Sequence, residues 1–370
     1  SLGLAITTTD TQLVNGTTVT DTSTVSKPLT VVVSAVAEVV GGDSNSDSAS
    51  DVTINGDFTY SSHGFEDGWF ALNSDGFNLK TGWNNQDADG SEKTYALLTP
   101  TLSGGSAIGS QFSYTLAGVT TTLTYTGTAV QIPMEALDTV QFKAAANIAG
   151  TFAIGVQALT VDTDPDTGAT VQTISGNATL QNLVVEPVAD SVTLAARAPT
   201  VGFEDNPIPL TIRPTSVDDS ETFNVTLSNI PDGAVILYGG VALTVTNGSV
   251  TIENFSSSVS LTITPPHNSN TDFSLNVTAV SVDTLGVITS TSTPVTLPLP
   301  INVQGVADPV TLTVQNASTT EAAVDSGSHK ISLSTMVLNA VSADTDGSEK
   351  VNLVISGLPD GVSVEGLTFV

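Results

Sequence analysis

The stretch TFNVTLSNIPDGAV at 222–235 indicates most directly how this chain folds, because it alternates apolar and polar residues and then reaches Pro-Asp-Gly. Alternation with a period of two is the pattern of a β-strand with one buried face. Proline restricts φ and glycine permits a positive φ, so the tripeptide predicts a tight turn. The stretch KVNLVISGLPDGVS at 350–363 repeats the pattern. A strand-and-turn unit is therefore predicted at both places.

Comparison of the chain with itself reveals a longer tandem repeat. Three segments run from an apolar strand through a Thr/Asp turn to an alternating valine strand, and they end in Ala-acid at Glu38, Asp190 and Asp308. GFED at 64–67 returns at 202–205. The repeats predict an incomplete unit, an enlarged complete unit with insertions, a second complete unit and the N-terminal half of a fourth, at 1–37, 38–189, 190–307 and 308–370.

The repeats predict an all-β protein. Turn signals come every eight to twelve residues, and no stretch has a convincing helical pattern. Units of about 100–150 residues with roughly seven short strands are typical of immunoglobulin-like or cadherin-like β-sandwiches. The joins between repeats carry no Gly/Ser-rich linker, which favours an elongated array of stiffly joined domains.

Composition excludes several classes of partner. Asp and Glu number 37 against 8 Lys and Arg in 370 residues, which gives a net charge of −29. Such a polyanion is not attracted to nucleic acid or to an anionic membrane surface. The 39% hydrophobic content argues against disorder. Cysteine is absent, so disulfides cannot stiffen the chain. The first residues lack the basic region of a signal peptide, and we expect an internal fragment of a longer secreted protein.

Acidic residues recur at four places in a repeat, which we name the junction acid, the GFED glutamate, the acidic cluster and the late aspartate. The cluster has the form D-x-D-G-S-E, and hard cations such as Ca²⁺ take six to eight oxygen ligands from such groups. The predicted Ca²⁺ ligands are the junction acids Glu38, Asp190 and Asp308; the GFED glutamates Glu66 and Glu204, with Glu321 at the matching place; the cluster residues Asp87, Asp89, Glu92, Asp218, Asp219, Glu221, Asp344, Asp346 and Glu349; and the late aspartates Asp162 and Asp283.

The sandwich topology predicts where these groups meet. Acidic places that are separated by an even number of strands lie at the same end of a sandwich, next to the junction with the neighbouring repeat. We therefore expect Ca²⁺ to bind between repeats. The alternative is that acidic turns are simply solvated. Asp164, Asp166 and Asp205 are the residues for which this alternative is strongest.

Together these motifs resemble the extender repeats of giant bacterial RTX-type adhesins. The similarity rests on the ED pair, D-x-D-G-S-E, the Pro-Asp-Gly turn, LTITPP at 261–266 and the Val-Ala-Asp junctions. It covers most of 190–370 and, more loosely, 1–189, and it departs in 38–150, which lacks the Pro-Asp-Gly turn and carries insertions. The resemblance implies display outside the cell, Ca²⁺ at the junctions and a stiff spacer whose partners are neighbouring repeats.

The insertions concentrate aromatic residues in the 38–189 repeat. Exposed aromatic rings beside amides and carboxylates can form a sugar-binding site, and the candidates are Trp69, Trp83, Tyr60 and Asn84. The alternative is that these rings fill the core of a larger domain. The favoured function is a Ca²⁺-stiffened spacer of a surface adhesin. A carbohydrate- or peptide-binding module in 38–189 is a second hypothesis.

A third hypothesis is a head-to-tail filament, in which the part-repeats of two molecules complement each other by strand pairing. An enzyme is not expected, because the common nucleophile, metalloprotease and phosphate-binding motifs are absent from the sequence.

Overall fold

The computed structural model of the chain describes residues 2–29, 58–59, 63–73, 79, 91–164, 166–318, 336–344, 347–360 and 364. The chain divides into two compact units, Ser1–Pro187 and Val188–Val370. The predicted boundary between 189 and 190 lies next to this division. The described residues are almost entirely β-structure, which confirms the predicted all-β class.

The first unit begins with a long hairpin of β1 (Leu2–Val14) and β2 (Thr17–Leu29). Asn15 and Gly16 form its two-residue turn with φ of 55° and 76°, as a tight hairpin requires. The remaining elements are β3 (Phe58–Thr59), β4 (His63–Phe65), β5 (Phe70–Ala71), β6 (Glu92–Leu102), β7 (Gln111–Leu116), β8 (Val119–Thr124), β9 (Val130–Pro133), a 3₁₀ helix (Met134–Thr139), β10 (Gln141–Lys143), β11 (Gly150–Thr163) and β12 (Thr170–Glu186).

Two sheets of this unit pack into a sandwich. One has the order β3-β12-β11-β6-β9, with β4 parallel to β12, and the other has the order β5-β10-β7-β8. Phe142 from β10 contacts Phe152 from β11, with ring centroids 5.3 Å apart, and it also contacts Phe70 and Phe112. All but Phe70 are almost fully buried. The contact between Phe142 and Phe152 joins the two sheets, and the other two contacts lie within one sheet.

The second unit is also a sandwich of two main sheets. Its strands are β13 (Thr193–Arg197), β14 (Gly202–Phe203), β15 (Ile208–Thr215), β16 (Thr222–Ser228), β17 (Val235–Tyr238), β18 (Val241–Ala242), β19 (Ser249–Ile252), β20 (Leu261–Thr264), β21 (Phe273–Leu285), β22 (Ile288–Thr291), β23 (Val295–Ile301) and β24 (Val303–Gln304). One sheet has the order β13-β15-β20-β17-β18 and the other β19-β16-β21-β22, with β23 on β21. Alternate residues of β15 are buried, as the period-two pattern predicts.

The Pro-Asp-Gly turn after β16 has the predicted geometry. Gly233 has φ of 87°, and the N–H of Ala234 donates to the carbonyl of Pro231 over 3.1 Å. The tripeptide therefore reverses the chain before β17. The second copy of the turn includes Gly361, which lies outside the described residues.

The GFED motif has the same structure in both units. β4 pairs in parallel with the end of β12, and β14 pairs in parallel with β24. A Cβ on Gly64 would lie 2.2 Å from the Phe70 ring, and a Cβ on Gly202 would lie 2.2 Å from Ile208 Cδ1. The glycine of the motif is therefore required for close packing.

The part of the chain after Asp308 contains a further hairpin of β25 (Val310–Val314) and β26 (Val337–Ser342). Its pairing corresponds to that of β13 with β15. The alternating stretch from 350, predicted as a strand, is not in a strand up to residue 359 and is exposed along most of its length. Its counterpart β16 is held between β19 and β21, and an alternating sequence needs such partners to form a strand.

Candidate metal centre

The last cluster residue and the late aspartate lie opposite each other in the first unit. Glu92, at the start of β6, faces Asp162 on β11 in the antiparallel register. Both are 7% exposed. The Ser91 hydroxyl donates to Asp162 Oδ1 over 2.6 Å. Two carboxylates side by side and out of water repel each other, so they need a countercharge or donors.

The second unit brings the equivalent pair together. Thr222 on β16 faces Val282 on β21, which places the adjoining Glu221 beside Asp283. Glu221 is 7% exposed and Asp283 is 6% exposed. The same pairing of cluster glutamate and late aspartate therefore arises in both repeats from the same strand register.

Asp218 completes a buried acidic group at this pole of the second unit. One of its carboxylate oxygens lies within 4.8 Å of one of Asp283. Its Oδ1 accepts the N–H of Ser220 over 2.7 Å, and its Oδ2 accepts the Ser220 hydroxyl over 2.9 Å. We name Asp218, Glu221 and Asp283 the acidic pole.

The acidic pole has carboxylate oxygens without donors. Asp283 Oδ1 accepts the N–H of Thr284 over 2.8 Å, but Asp283 Oδ2 is buried without a hydrogen-bond partner, and so is Glu221 Oε2. A buried anionic oxygen without a donor is destabilising unless a cation compensates it. These two oxygens are suitable as two of the ligands of a hard cation.

The backbone of the junction is tied to the acidic cluster. The N–H of Asp190 donates to Glu221 Oε1 over 2.5 Å, and the Ser281 hydroxyl donates to the Asp190 carbonyl over 2.5 Å. The same arrangement returns one repeat later, where the N–H of Asp308 donates to Glu349 Oε1 over 2.5 Å. Glu221 and Glu349 therefore each fix the junction that precedes their own repeat.

The GFED glutamate reaches the junction at Asp308 from the other side. Glu204 is 1% exposed, its Oε1 accepts the N–H of Val306 over 2.5 Å, and its Oε2 is buried without a partner. A Cβ at Gly305 would lie 3.5 Å from Glu204 Oε1 and 3.2 Å from Asn270 Nδ2. The absence of a side chain at 305 leaves room for the carboxylate.

Carboxylates from both repeats line one open cleft of about 360 Å³ at this junction. Glu204, Asp308 and Glu349 all contribute to its wall, together with Lys350. We name these three acids the junction site. Asp308 Oδ2 is buried without a partner. Desolvation, followed by the negative charges of Asp205, Glu349 and Asp344, raises the pKa of Asp308.

Asp205 is used differently from its neighbour Glu204. It has φ of 58°, and its Oδ1 accepts the N–H of Asn268 over 3.0 Å and pairs with His267 Nδ1 at 2.7 Å. The hydrogen bond with His267 lowers the pKa of Asp205 and raises that of His267. Asn268 Nδ2 also donates to the carbonyl of Ala343 over 2.8 Å, which links the two repeats of this unit.

Among the described residues, no lysine or arginine forms an ion pair with these acids. Both ion pairs found among the described residues involve histidine, in the pairs His63–Glu186 and His267–Asp205. Across that part of the chain, no lysine or arginine nitrogen lies within 4.0 Å of a carboxylate. Lys350 lines the junction cleft but forms no ion pair with its acids.

The other predicted ligands fall in different settings. Glu66 is 3% exposed, and its N–H donates to the carbonyl of Glu186, as that of Glu204 donates to Gln304. Asp219 is exposed, unlike Asp218. Asp344 accepts the Ser348 hydroxyl over 2.8 Å. The remaining predicted ligands, Glu38, Asp87, Asp89, Glu321 and Asp346, lie outside the described residues.

The structure adds serine hydroxyls that the sequence reasoning missed. Ser91, Ser220 and Ser348 all precede a cluster glutamate and donate to nearby aspartates. Ser281, two residues before Asp283, holds the junction carbonyl. The repeated Ser-Glu dipeptide is the feature of the sequence that could have identified the first three of these serines.

Two neighbouring aromatic residues of the insertion, Trp69 and Phe70, differ in their exposure to solvent. Phe70 packs edge-on against Phe142 in the core, whereas Trp69 is 40% exposed. Tyr60, Trp83 and Asn84 lie outside the described residues. Core filling therefore accounts for Phe70, and Trp69 remains available at the surface.

No protein-family model matches the chain, and comparison with curated proteins identified no relative. No helix in the described part of the chain is long and apolar enough to cross a membrane.

Proposed function

We propose that the chain is a segment of a secreted or cell-surface bacterial adhesin, in which bound Ca²⁺ stiffens tandem β-sandwich repeats. The observation that carries the proposal is the acidic pole, where Glu221 Oε2 and Asp283 Oδ2 are buried without donors. The role is mechanical and involves no catalysis. The resemblance of the repeats to RTX-type extender domains supports the extracellular setting.

The donor set fits a hard divalent cation. Ca²⁺ binds carboxylates, carbonyls and water at about 2.3–2.6 Å with flexible geometry. Asp218, Glu221 and Asp283 would hold it at the acidic pole. The chain has no cysteine, and the described histidine close to these acids is His267, which pairs with Asp205. Softer metals therefore have fewer suitable ligands. Bound Ca²⁺ would supply the positive charge that the carboxylates require.

An ion bound at the junction site would have a mechanical effect on the chain. Glu204 belongs to the 190–307 repeat, whereas Glu349 belongs to the next, and both reach the backbone around Asp308. An ion held by acids of both repeats would restrict bending at that junction. Without it, mutual repulsion of the acids favours an open, flexible hinge.

Chelation of the full chain tests this proposal. We expect CaCl₂ to raise the melting temperature above its value in EGTA, and small-angle X-ray scattering to show a narrower distribution of shapes. MgCl₂ is the matched control, because Mg²⁺ demands tighter octahedral geometry and keeps its waters. Identical melting curves and scattering profiles in CaCl₂ and EGTA would refute the stiffening role.

The surface location needs its own experiment. Antibodies raised against the full chain should label intact, unpermeabilised source cells or their culture medium. Labelling that requires permeabilisation would contradict the adhesin assignment and leave the calcium chemistry to be judged by the chelation experiment alone.

A carbohydrate-binding role for the 38–189 repeat is a second candidate, supported by the exposed Trp69 ring. Aromatic faces stack on sugar rings. The full chain on a glycan array should then bind defined sugars, with Trp69→Ala losing the signal and Trp69→Phe retaining part of it. An array without binding, or binding unaffected by Trp69→Ala, counts against this candidate.

A further inference from the structure

The sheet β3-β12-β11-β6-β9 of the first unit carries a cleft of about 420 Å³ on its outer face. We name it the outer cleft. Residues of three adjacent strands line it, among them Thr101, Ala153, Thr179, Gln181 and Asn182. The volume falls in the usual range of small-molecule sites, about 300–1,000 Å³. Neither Trp69 nor any of the predicted calcium ligands lines this cleft.

A β-bulge in β12 shapes the outer cleft. Ala153 on β11 lies opposite two residues of β12, Gln181 and Asn182, because the register of the two strands shifts there. The flanking Leu180 and Leu183 are fully buried. Gln181 is half-buried, and Asn182, whose φ is 58°, is exposed. The bulge therefore places two amide side chains beside one alanine, outside the core.

The other complete repeat has no bulge at the corresponding place. Ser274 lies nine residues before its late aspartate, Asp283, as Ala153 lies nine residues before Asp162. Ser274 pairs with Pro300 in a register that continues unbroken on both sides. The shared fold therefore does not require the bulge. Bulges are common beside functional sites, because they redirect side chains.

Small residues of β11 leave space between two threonines. Ala153 lies opposite Thr101 on β6, and Gly155, two residues further along the same face, lies opposite Thr179 on β12. The Thr101 hydroxyl donates to the Ala153 carbonyl over 3.2 Å, which fixes that side chain. The outer cleft therefore has threonine on both sides and a low apolar surface at Ala153 between them.

The chemistry of the lining indicates an uncharged ligand. The described residues that line the outer cleft provide hydroxyl, amide and apolar groups, and none of them is charged. A cation therefore finds no carboxylate there, and the net charge of −29 repels an anion. Hydroxyl and amide side chains both donate and accept hydrogen bonds. They match a ligand that carries many hydroxyls of its own.

We propose that the outer cleft binds a neutral saccharide. Gln181 and Asn182 hydrogen-bond to its hydroxyls from one side, and Thr101 does so from the other. Ala153 and Leu102 contact the C–H groups of the sugar ring. The site depends neither on bound calcium nor on Trp69, so it goes beyond both functions proposed above.

Binding of the full chain to an array of neutral and sialylated glycans tests this proposal. We expect at least one neutral glycan to bind, and the Kd for that glycan to rise about tenfold in Asn182→Gly, through loss of a hydrogen bond. Glycine keeps the left-handed backbone, so this variant removes the amide without straining the bulge. Ala153→Leu fills the cleft from outside the core and should also weaken binding. Absence of binding to every neutral glycan, or tighter binding of the sialylated forms, overturns the proposal.

Asn254→Gly is the matched control, because Asn254 is likewise exposed with a positive φ, of 49°, but lies in the second unit. It should leave the Kd unchanged. Equal affinity in wild type and both cleft variants overturns the proposal. Binding that is lost in Trp69→Ala but kept in both cleft variants also overturns it and assigns the sugar to Trp69. All measurements are made in CaCl₂, so the chelation experiment judges the calcium role separately.

Discussion

Asp283 and Asp164 are buried to nearly the same extent, at 6% and 8% exposed, but their surroundings differ. Asp164 Oδ1 accepts the backbone N–H groups of Asp166 and Thr167, each over 2.9 Å, and these bonds lower the pKa of Asp164. Asp283 has one such donor, and its second oxygen has none. Burial alone therefore does not identify an ion site, because the supply of donors decides whether a carboxylate needs a cation.

The largest expected effect comes from Asp283→Asn at the acidic pole. A site filled at a ligand concentration 100-fold above its dissociation constant adds about 2.7 kcal/mol to stability. The variant should lose that calcium-dependent gain, seen as a lower melting temperature in CaCl₂. In EGTA it should melt no lower than the wild-type chain, because the repulsion between Asp283 and Glu221 is removed.

Asp219→Asn is the matched control, since Asp219 is an exposed neighbour of Asp218 in the same cluster. It removes the same charge but should preserve the calcium response. If both variants lose the response equally, net charge rather than the acidic pole is responsible. If neither loses it, Asp283 resembles Asp164 and holds no ion.

A smaller effect is expected for Glu204→Gln at the junction site, because that cleft is open to water. The amide oxygen can still accept the Val306 N–H, so the backbone contact survives while the charge is lost. We expect about a tenfold weaker calcium affinity at one site, equivalent to about 1.4 kcal/mol, measured by titration calorimetry.

Exposed Glu253 provides the control for this junction variant. Glu253→Gln should leave the calorimetric titration unchanged. Glu204→Gln should also broaden the shape distribution in calcium, which Glu253→Gln should not do. Unaltered affinity and shape in Glu204→Gln would remove the junction site from the proposal.

The smallest effect is expected for Asp164→Ala, and it should not depend on calcium. The variant loses the acceptor for two turn N–H groups, so the melting temperature should fall slightly and equally in CaCl₂ and EGTA. Asp164→Asn keeps an acceptor oxygen and should restore part of the loss.

The pH dependence of this turn follows from the direction of the pKa shift. The folded pKa of Asp164 lies below the ordinary aspartate value of about 3.9. Its stabilisation is therefore present above that value and is lost as the pH falls through the folded pKa. The difference in melting temperature between wild type and Asp164→Ala should vanish in that acidic range. A difference that changes with calcium instead would place an ion at the turn.

Particular residues show how far the sequence could predict the site. The pairing of Glu92 with Asp162 follows from period-two strands and a recurring spacing, and both features are visible in the sequence. The sequence did not show that the two acids of GFED are used differently. Glu204 points inward, whereas Asp205, which has a left-handed backbone, turns to His267. That difference depends on what packs around the turn.

The stretch from 350 shows how far secondary structure can be predicted from local sequence. Its alternation matches β16, but β16 forms because β19 and β21 lie on either side. A strand is stabilised by cross-strand pairs, so the similar pattern from 350, which has no paired strand among the described residues, is not in a strand. Local sequence cannot report whether those partners are present.

The sequence alone determined the strand period, the Pro-Asp-Gly turn and the spacing of the acids, because these depend on backbone preferences and on residues close in the chain. Only the tertiary structure decided which acids lack donors. The Asp190 N–H and Glu221 Oε1 are 31 residues apart in sequence, and Asp283 lies farther still. Donors and burial come from elements brought together by folding, and they separate the acidic pole from an ordinary acidic turn.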